Sequence, residues 1–216
     1  SIRLYYIGFK GASCMMYQND RERNYVTAIL NNKVCYRNIP GSGVNLEEFP
    51  FAEYPADDNE IIFNYVARIV GFNGINELLA AAERVKKVHP NVHFVLYGDY
   101  DDDSYRVRVA ELEKKGIVEY GGIQLDMKPF IKKAHAVIHP SYYEGMTNVI
   151  LEHAAMGRPA IASDIPGCRE GIDEGVSGYT FELKNVDDLV QKIEKFLSLS
   201  HEEKKAMGKA ARIKII

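Results

Sequence analysis

The chain has 216 residues, long enough for one domain with a sizeable core, and its 46% hydrophobic and 26% charged content is that of an ordinary globular protein. A net charge of −3 excludes an electrostatic nucleic-acid binder, and no apolar run approaches the roughly 20 residues that span a bilayer. Cys14, Cys35 and Cys168 are few, odd in number and far apart in sequence, which predicts reduced thiols in a cytoplasmic protein and neither a disulfide framework nor a metal site.

Short apolar runs alternate with helical patterns along the chain. Cys14–Tyr17 and Val34–Ile39 read as strands, with a helix over about Arg21–Leu30 between them. The turn formers Pro40-Gly-Ser-Gly-Val-Asn45 follow, without the glycine spacing of a dinucleotide fingerprint, and residues 50–59 form a polar connector. Ile61–Ala67 is a strand that delivers Arg68 at its C-terminal end, where open α/β sheets collect ligands. Arg68 is therefore placed for a phosphate, an exposed surface arginine being the other reading. A helix over about Ile75–Val88 ends before Pro90, since the residue preceding a proline is pushed out of helical geometry. Val92–Tyr97 is a strand, Gly98–Ser104 an acidic loop, Tyr105–Lys115 a helix, Ile117–Tyr120 a strand and Met127–Lys133 a short helix. His135 and His139 flank the apolar run Ala136–His139 without an evident third ligand, so they read as core or rim histidines rather than metal ligands. Pro159–Ser163 and Gly178–Phe181 are strands, and helices over Val186–Leu197 and from His201 onward close the chain. This alternation predicts an α/β fold, a doubly wound parallel sheet with helices on both faces in the Rossmann-like manner.

The most informative stretch is His139-Pro-Ser-Tyr-Tyr-Glu144-Gly-Met-Thr-Asn148-Val-Ile-Leu-Glu152-His-Ala-Ala-Met-Gly157. It predicts a buried strand, a glycine-containing turn and a helix over about Met146–Met156 closed by Gly157. The amides of Gly145, Met146 and Thr147 then lie at a helix N-terminus, where they can hold an anion or a hydroxyl. Glu144 precedes the helix, and Glu152 lies roughly 12 Å further along its axis, too far for a paired acid and base but suited to an extended ligand. Gly145, Asn148 and Glu152 are expected on one face, with Val149, Leu151, Ala154 and Ala155 packed. Taken alone, Glu152 also fits the polar edge of an amphipathic helix.

Two glutamates separated by seven residues, followed by Ala-Ala-Met-Gly-Arg-Pro-Ala-Ile-Ala-Ser163, resemble the signature of the nucleotide-sugar half of retaining glycosyltransferases of the GT-B fold, family four. Gly43-Val-Asn45 with Phe49 resembles the family's Gly-Val-Asp turn, and Pro166-Gly-Cys-Arg-Glu170 its Gly-x-x-Glu segment. The resemblance spans about Val34–Lys209 and makes residues 33–216 the donor-binding domain, with residues 1–32 a linker crossing from an N-terminal acceptor domain that precedes them. It implies that Glu144 holds the catalytic position, that Arg68 offsets charge on the diphosphate, and that Gly145, Met146, Thr147 and Asn148 hold sugar hydroxyls. Glu152 would accept hydrogen bonds from the ribose. Gly122 and Ile123 would lie by the base, and Asn73 stands where the family carries a lysine that helps clamp the diphosphate.

The implied activity is transfer of a hexose or N-acetylhexosamine from a nucleoside-diphosphate sugar, with UDP and a galactose-type sugar expected, without a metal or other cofactor. In flavour the chain is most similar to bacterial transferases of capsular and lipid-linked oligosaccharides. That predicts a glycan or lipid-linked acceptor bound through the N-terminal domain, a cytoplasmic location at the inner membrane face, and peripheral membrane contact. The Asp99-Tyr-Asp101 pair would instead mark the metal-dependent glycosyltransferase fold, but it reads as a solvated loop. A nucleotide-sugar epimerase of the same fold and a non-catalytic nucleotide-binding module are the alternatives.

Overall fold

In the computed structural model, residues 2–30, 35–39 and 41–216 are described. Val34, expected to open the second strand, and Pro40 of the following turn lie outside them. The elements in chain order are α1 (Ile2–Phe9), β1 (Cys14–Tyr17), α2 (Asp20–Ile29), β2 (Cys35–Asn38), β3 (Ile61–Val66), α3 (Ile75–Val85), β4 (Val92–Tyr97), α4 (Asp103–Lys114) and β5 (Glu119–Gly122). They continue with α5 (Lys128–Lys133), β6 (Ala136–His139), α6 (Asn148–Ala155), β7 (Ala160–Ser163), β8 (Gly178–Phe181), α7 (Val186–Leu197) and α8 (His201–Lys214).

Strands β3 to β8 form one parallel sheet in the order β5-β4-β3-β6-β7-β8, the doubly wound arrangement expected from the alternation. The period of two along each strand assigns side chains to two faces. Phe63, Phe94, Leu96, Ile138 and Ile161 pack with Leu78 and Leu79 of α3 and with Leu189, Ile193 and Phe196 of α7. Val137, Ala160 and Ala162 meet Ile150 of α6 on the other side.

Local chemistry accounts for most element ends. The carboxylate of Asp102 caps the Ser104 amide, so α4 starts two residues before the expected Tyr105. The apolar repeat of α3 stops being buried at Val85, and the His89 amide closes onto the Val85 carbonyl, so the helix ends short of Val88. β5 is shifted toward the glycines because the Ile117 amide still bonds the Leu112 carbonyl and pairing with β4 begins only at Glu119.

Ahead of this sheet, β1 and β2 pair in parallel around α2, with Tyr17, Val26 and Leu30 as a small separate core. The sequence pattern missed α1. β2 pairs with β1 and not with the larger sheet, which begins at β3.

Candidate active site

The strand order reverses between β3 and β6: β4 and β5 extend the sheet one way from β3, and β7 and β8 extend it the other way from β6. At such a reversal the connections leave on opposite sides, and a crevice opens at the carboxyl ends of the two strands. Two segments line it here. After β3 come Arg68 and the single 3-10 turn Gly71–Asn73, and after β6 comes the loop 140–147. They interlock tightly. The Tyr142 amide donates to the Phe72 carbonyl at 2.9 Å, and Gly74, at φ +75°, passes so close that a Cβ there would lie 2.0 Å from the Pro140 oxygen.

Glu144 is fixed from below. His139, the last residue of β6 and almost fully buried, places Nε2 2.9 Å from Glu144 Oε1 and 3.3 Å from the Thr147 hydroxyl. A carboxylate only accepts, so the shared proton sits on Nε2. Burial by itself would raise the Glu144 carboxyl; the hydrogen bond and charge of His139, helped by Ser141, outweigh it and hold the group below the usual carboxylate range. Glu144 is thereby kept ionised. The sequence reading of His139 as a core or rim histidine resolves to the core by its burial but missed this bond, and the five-residue spacing to Glu144 was the available signal.

Helix α6 begins at Asn148, two residues later than expected. Thr147 is its N-cap but makes no side-chain capping bond, because its hydroxyl is turned toward His139. The expected ligand amides need correction accordingly. That of Met146 is taken by Gln18 Oε1 at 3.1 Å and that of Thr147 by the Gly167 carbonyl at 3.3 Å. The helix amides without intrahelical partners therefore start at Asn148. Gly145 lies outside the helix, so the expected common face reduces to Asn148 and Glu152, one turn apart. Asn148 Oδ1 accepts from the Ser42 hydroxyl at 3.0 Å. Ile150 and His153 are buried along with Leu151, Ala154 and Ala155, whereas Val149 is half-buried.

Glu152 is half-buried, and its carboxylate makes no hydrogen bond or ion pair among the described residues. Burial, reinforced by Glu48 and opposed by Lys128, raises its carboxyl above the ordinary value. An acceptor left unpaired in such a place is ready for a donor such as a hydroxyl. Arg68 is exposed and reaches Asp101 at 3.3 Å, with its guanidinium over the Phe72 ring. The acidic loop is accordingly not merely solvated: Asp101 holds Arg68, Asp102 caps α4 and Asp99 accepts from the Tyr100 amide. Asn73 directs its amide to the Arg68 carbonyl at 2.9 Å, so it braces the loop. Gly122 adopts φ +71° and accepts from the Gly98 amide, and the neighbouring Ile123 is exposed. No group of three metal-ligating side chains occurs among the described residues.

The N-terminal β-α-β unit touches the same loop. Asn19 Nδ2 donates to the carbonyls of Glu144 and Gly145 at 3.1 and 3.3 Å, and the Tyr143 hydroxyl donates to Glu22. Gln18, Asn19 and Ser42 carried no sequence signal for this. Asn19 also caps α2, its side-chain oxygen accepting from the Glu22 amide at 2.9 Å.

Residues 47–214 match the family described as Glycosyl transferases group 1. The chain belongs to that family. Among curated relatives, the chain is 28% identical over 206 residues to the N,N'-diacetylbacillosaminyl-diphospho-undecaprenol alpha-1,3-N-acetylgalactosaminyltransferase of Campylobacter jejuni, covering 88% of this chain and 52% of the relative. Among solved structures, sucrose-phosphate synthase from Thermosynechococcus elongatus superposes with a TM-score of 0.81 at 24% identity, over 99% of this chain and 56% of that one. Anabaena HepE, solved with UDP and glucose, superposes with a TM-score of 0.80 at 16% identity, over 99% and 62%. The chain spans about half the length of the curated relatives it matches. Its doubly wound sheet is that of the GT-B glycosyltransferases.

Proposed function

We propose that the crevice between β3 and β6 binds a nucleoside-diphosphate sugar, with UDP as the nucleotide, and that the whole protein transfers the sugar, with retention at its anomeric carbon, to a glycan or lipid-linked acceptor. The observation that carries this reading is Glu144, held ionised by a buried histidine at the sheet reversal, one loop away from the uncapped N-terminus of α6 and from Glu152. Arg68 and the first amides of α6 offset the charge that grows on the departing diphosphate, a stabilisation needing no metal in this scheme. Glu144 positions the sugar through its hydroxyls, aided by Gly145 and Asn148, and Glu152 accepts from the ribose. Gly122 and Ile123 flank the base. Asn73, without a charge, contributes through the loop it braces.

Two similar proteins support the substrate class: the Campylobacter relative is named for action on a diphospho-undecaprenol acceptor, and HepE was solved with UDP and glucose. The accompanying assignments are residues 1–32 as a segment leading from a preceding acceptor domain, and a cytoplasmic site of action at the inner membrane face. No helix among the described residues is long and apolar enough to cross a membrane.

Titration calorimetry with UDP, GDP and ADP tests the site. UDP is expected to bind, and Glu152→Ala to weaken it roughly tenfold or more, the range for a lost charge-assisted hydrogen bond. Unchanged affinity excludes the ribose role, and no heat from any of the three nucleotides sinks the site. A panel of nucleotide sugars against the whole protein then separates transfer from epimerisation and from binding alone.

A further inference from the structure

Cys14 and Cys35 lie 21 residues apart in sequence, yet they are direct Cα partners on the parallel strands β1 and β2. Both are exposed, and the Cys14 thiol donates to the Cys35 sulfur across 3.5 Å. Neighbouring strands run about 4.8 Å apart, within the Cα separation that a disulfide spans, so the pairing brings the two thiols within reach of a bond. Cys168 offers the contrast in access: it is fully buried and burial raises its thiol, whereas Cys14, raised above all by its hydrogen bond to Cys35, lies at the surface.

We propose that Cys14 and Cys35 form a reversible dithiol–disulfide site whose oxidant is a low-molecular-weight disulfide. One cysteine thiolate attacks a sulfur of the small disulfide, forming a mixed disulfide and expelling one small thiolate. The second cysteine thiolate then attacks the protein-bound sulfur and expels the other. The protein loses two thiol protons and two electrons, and the small disulfide is reduced to two thiols. The position gives the bond a consequence. β1 runs directly into Gln18 and Asn19, which hold the Met146 amide and the carbonyls of Glu144 and Gly145. A β1–β2 clip closes the loop that contains α2 and keeps these contacts from opening. Exposed, transient disulfides of this kind are compatible with a cytoplasmic protein.

The test incubates the whole protein with oxidised glutathione, then reads intact mass, a non-reducing peptide map and hydrogen exchange. The expected product is a monomer lighter by a pair of hydrogens, with a single Cys14–Cys35 cross-link, reversed by reduced glutathione. Exchange at the amides of α2 should slow roughly tenfold or more, as expected when a loop of this length is closed. Cys14→Ser and Cys35→Ser, near-isosteric changes at exposed positions, should each take up one glutathione and form no internal link. The proposal is overturned if the wild-type protein ends with separate glutathione adducts, with links between chains or to Cys168, or unmodified. An internal link that leaves α2 exchange unchanged overturns the coupling to the loop.

Discussion

His139 Nε2 serves two partners at once, the Glu144 carboxylate and the Thr147 hydroxyl, while its Nδ1 is buried with no partner among the described residues. Without the imidazole, Glu144 keeps its desolvation cost and only Ser141 remains to offset it. His139→Ala is therefore expected to move the Glu144 carboxyl from below its ordinary value to above it, readable as a carboxyl carbon shift in an NMR titration. The sign for stability inverts with it. In the wild type the folded value is depressed, so Glu144 stabilises above its unfolded value and loses that contribution as pH falls through the folded value. In the variant its ionised form opposes folding instead. A carboxyl that titrates as in the wild type would dismiss His139 as its positioning residue.

At the scale of elements, two features lock the switch point. Gly74 must hold a left-handed backbone against the Pro140 carbonyl, so Gly74→Ala should cost about 2 kcal/mol or more in chemical denaturation and open the β3 and β6 loops. Arg158 locks the ends of the helices. It is fully buried with no carboxylate partner among the described residues, and it donates to the carbonyls of Ala52, Glu53, Ile131, Lys132, Met156 and Gly157. Four of these cluster at the C-terminal ends of α5 and α6, where the helix dipoles favour a cation. Burial lowers the guanidinium to about 10, which still leaves it charged at neutral pH. Arg158→Met strands these carbonyls and should cost roughly 3 kcal/mol. Arg158→Lys should recover only part of the loss, because an ammonium cannot reproduce the five-donor fork. Both effects are read as shifts in denaturant midpoint, and a neutral Arg158→Met would show that water reaches those carbonyls.

Across the whole molecule, histidines set the pH dependence in opposite directions. His153, between the Asn64 amide and the Val149 carbonyl, and His135 are lowered by burial to about 3 and about 4. Their folded values lie below the unfolded one, so the stability they represent is complete above the unfolded value and drains as pH falls toward 4. That is about 1.4 kcal/mol per pH unit for each histidine. For His93, burial acts to lower the value, but hydrogen bonds to Glu119 and Glu60, each at 2.6 Å, prevail and raise it. Its contribution is complete below the unfolded value and fades as pH rises through the folded one. Stability should therefore peak near neutral pH, and His153→Gln should roughly halve the slope on the acid side. An acid limb unaltered by that substitution would place the titration elsewhere.

The chain's residue pattern alone determined the doubly wound sheet, the strands Cys14–Tyr17, Val92–Tyr97, Ala136–His139 and Gly178–Phe181 to the residue, and the likeness carried by Glu144 and Glu152. These are matters of local periodicity, turn chemistry and spacing, which neighbouring residues express by themselves. Only the tertiary structure decided that His139 grips Glu144, that Asp101 holds Arg68, that α6 starts at Asn148, that Arg158 unites three segments, and that Cys14 meets Cys35. Each of these depends on which strand ends and loops the sheet order brings face to face. That order is set by how the whole core packs, and no window of the sequence contains it.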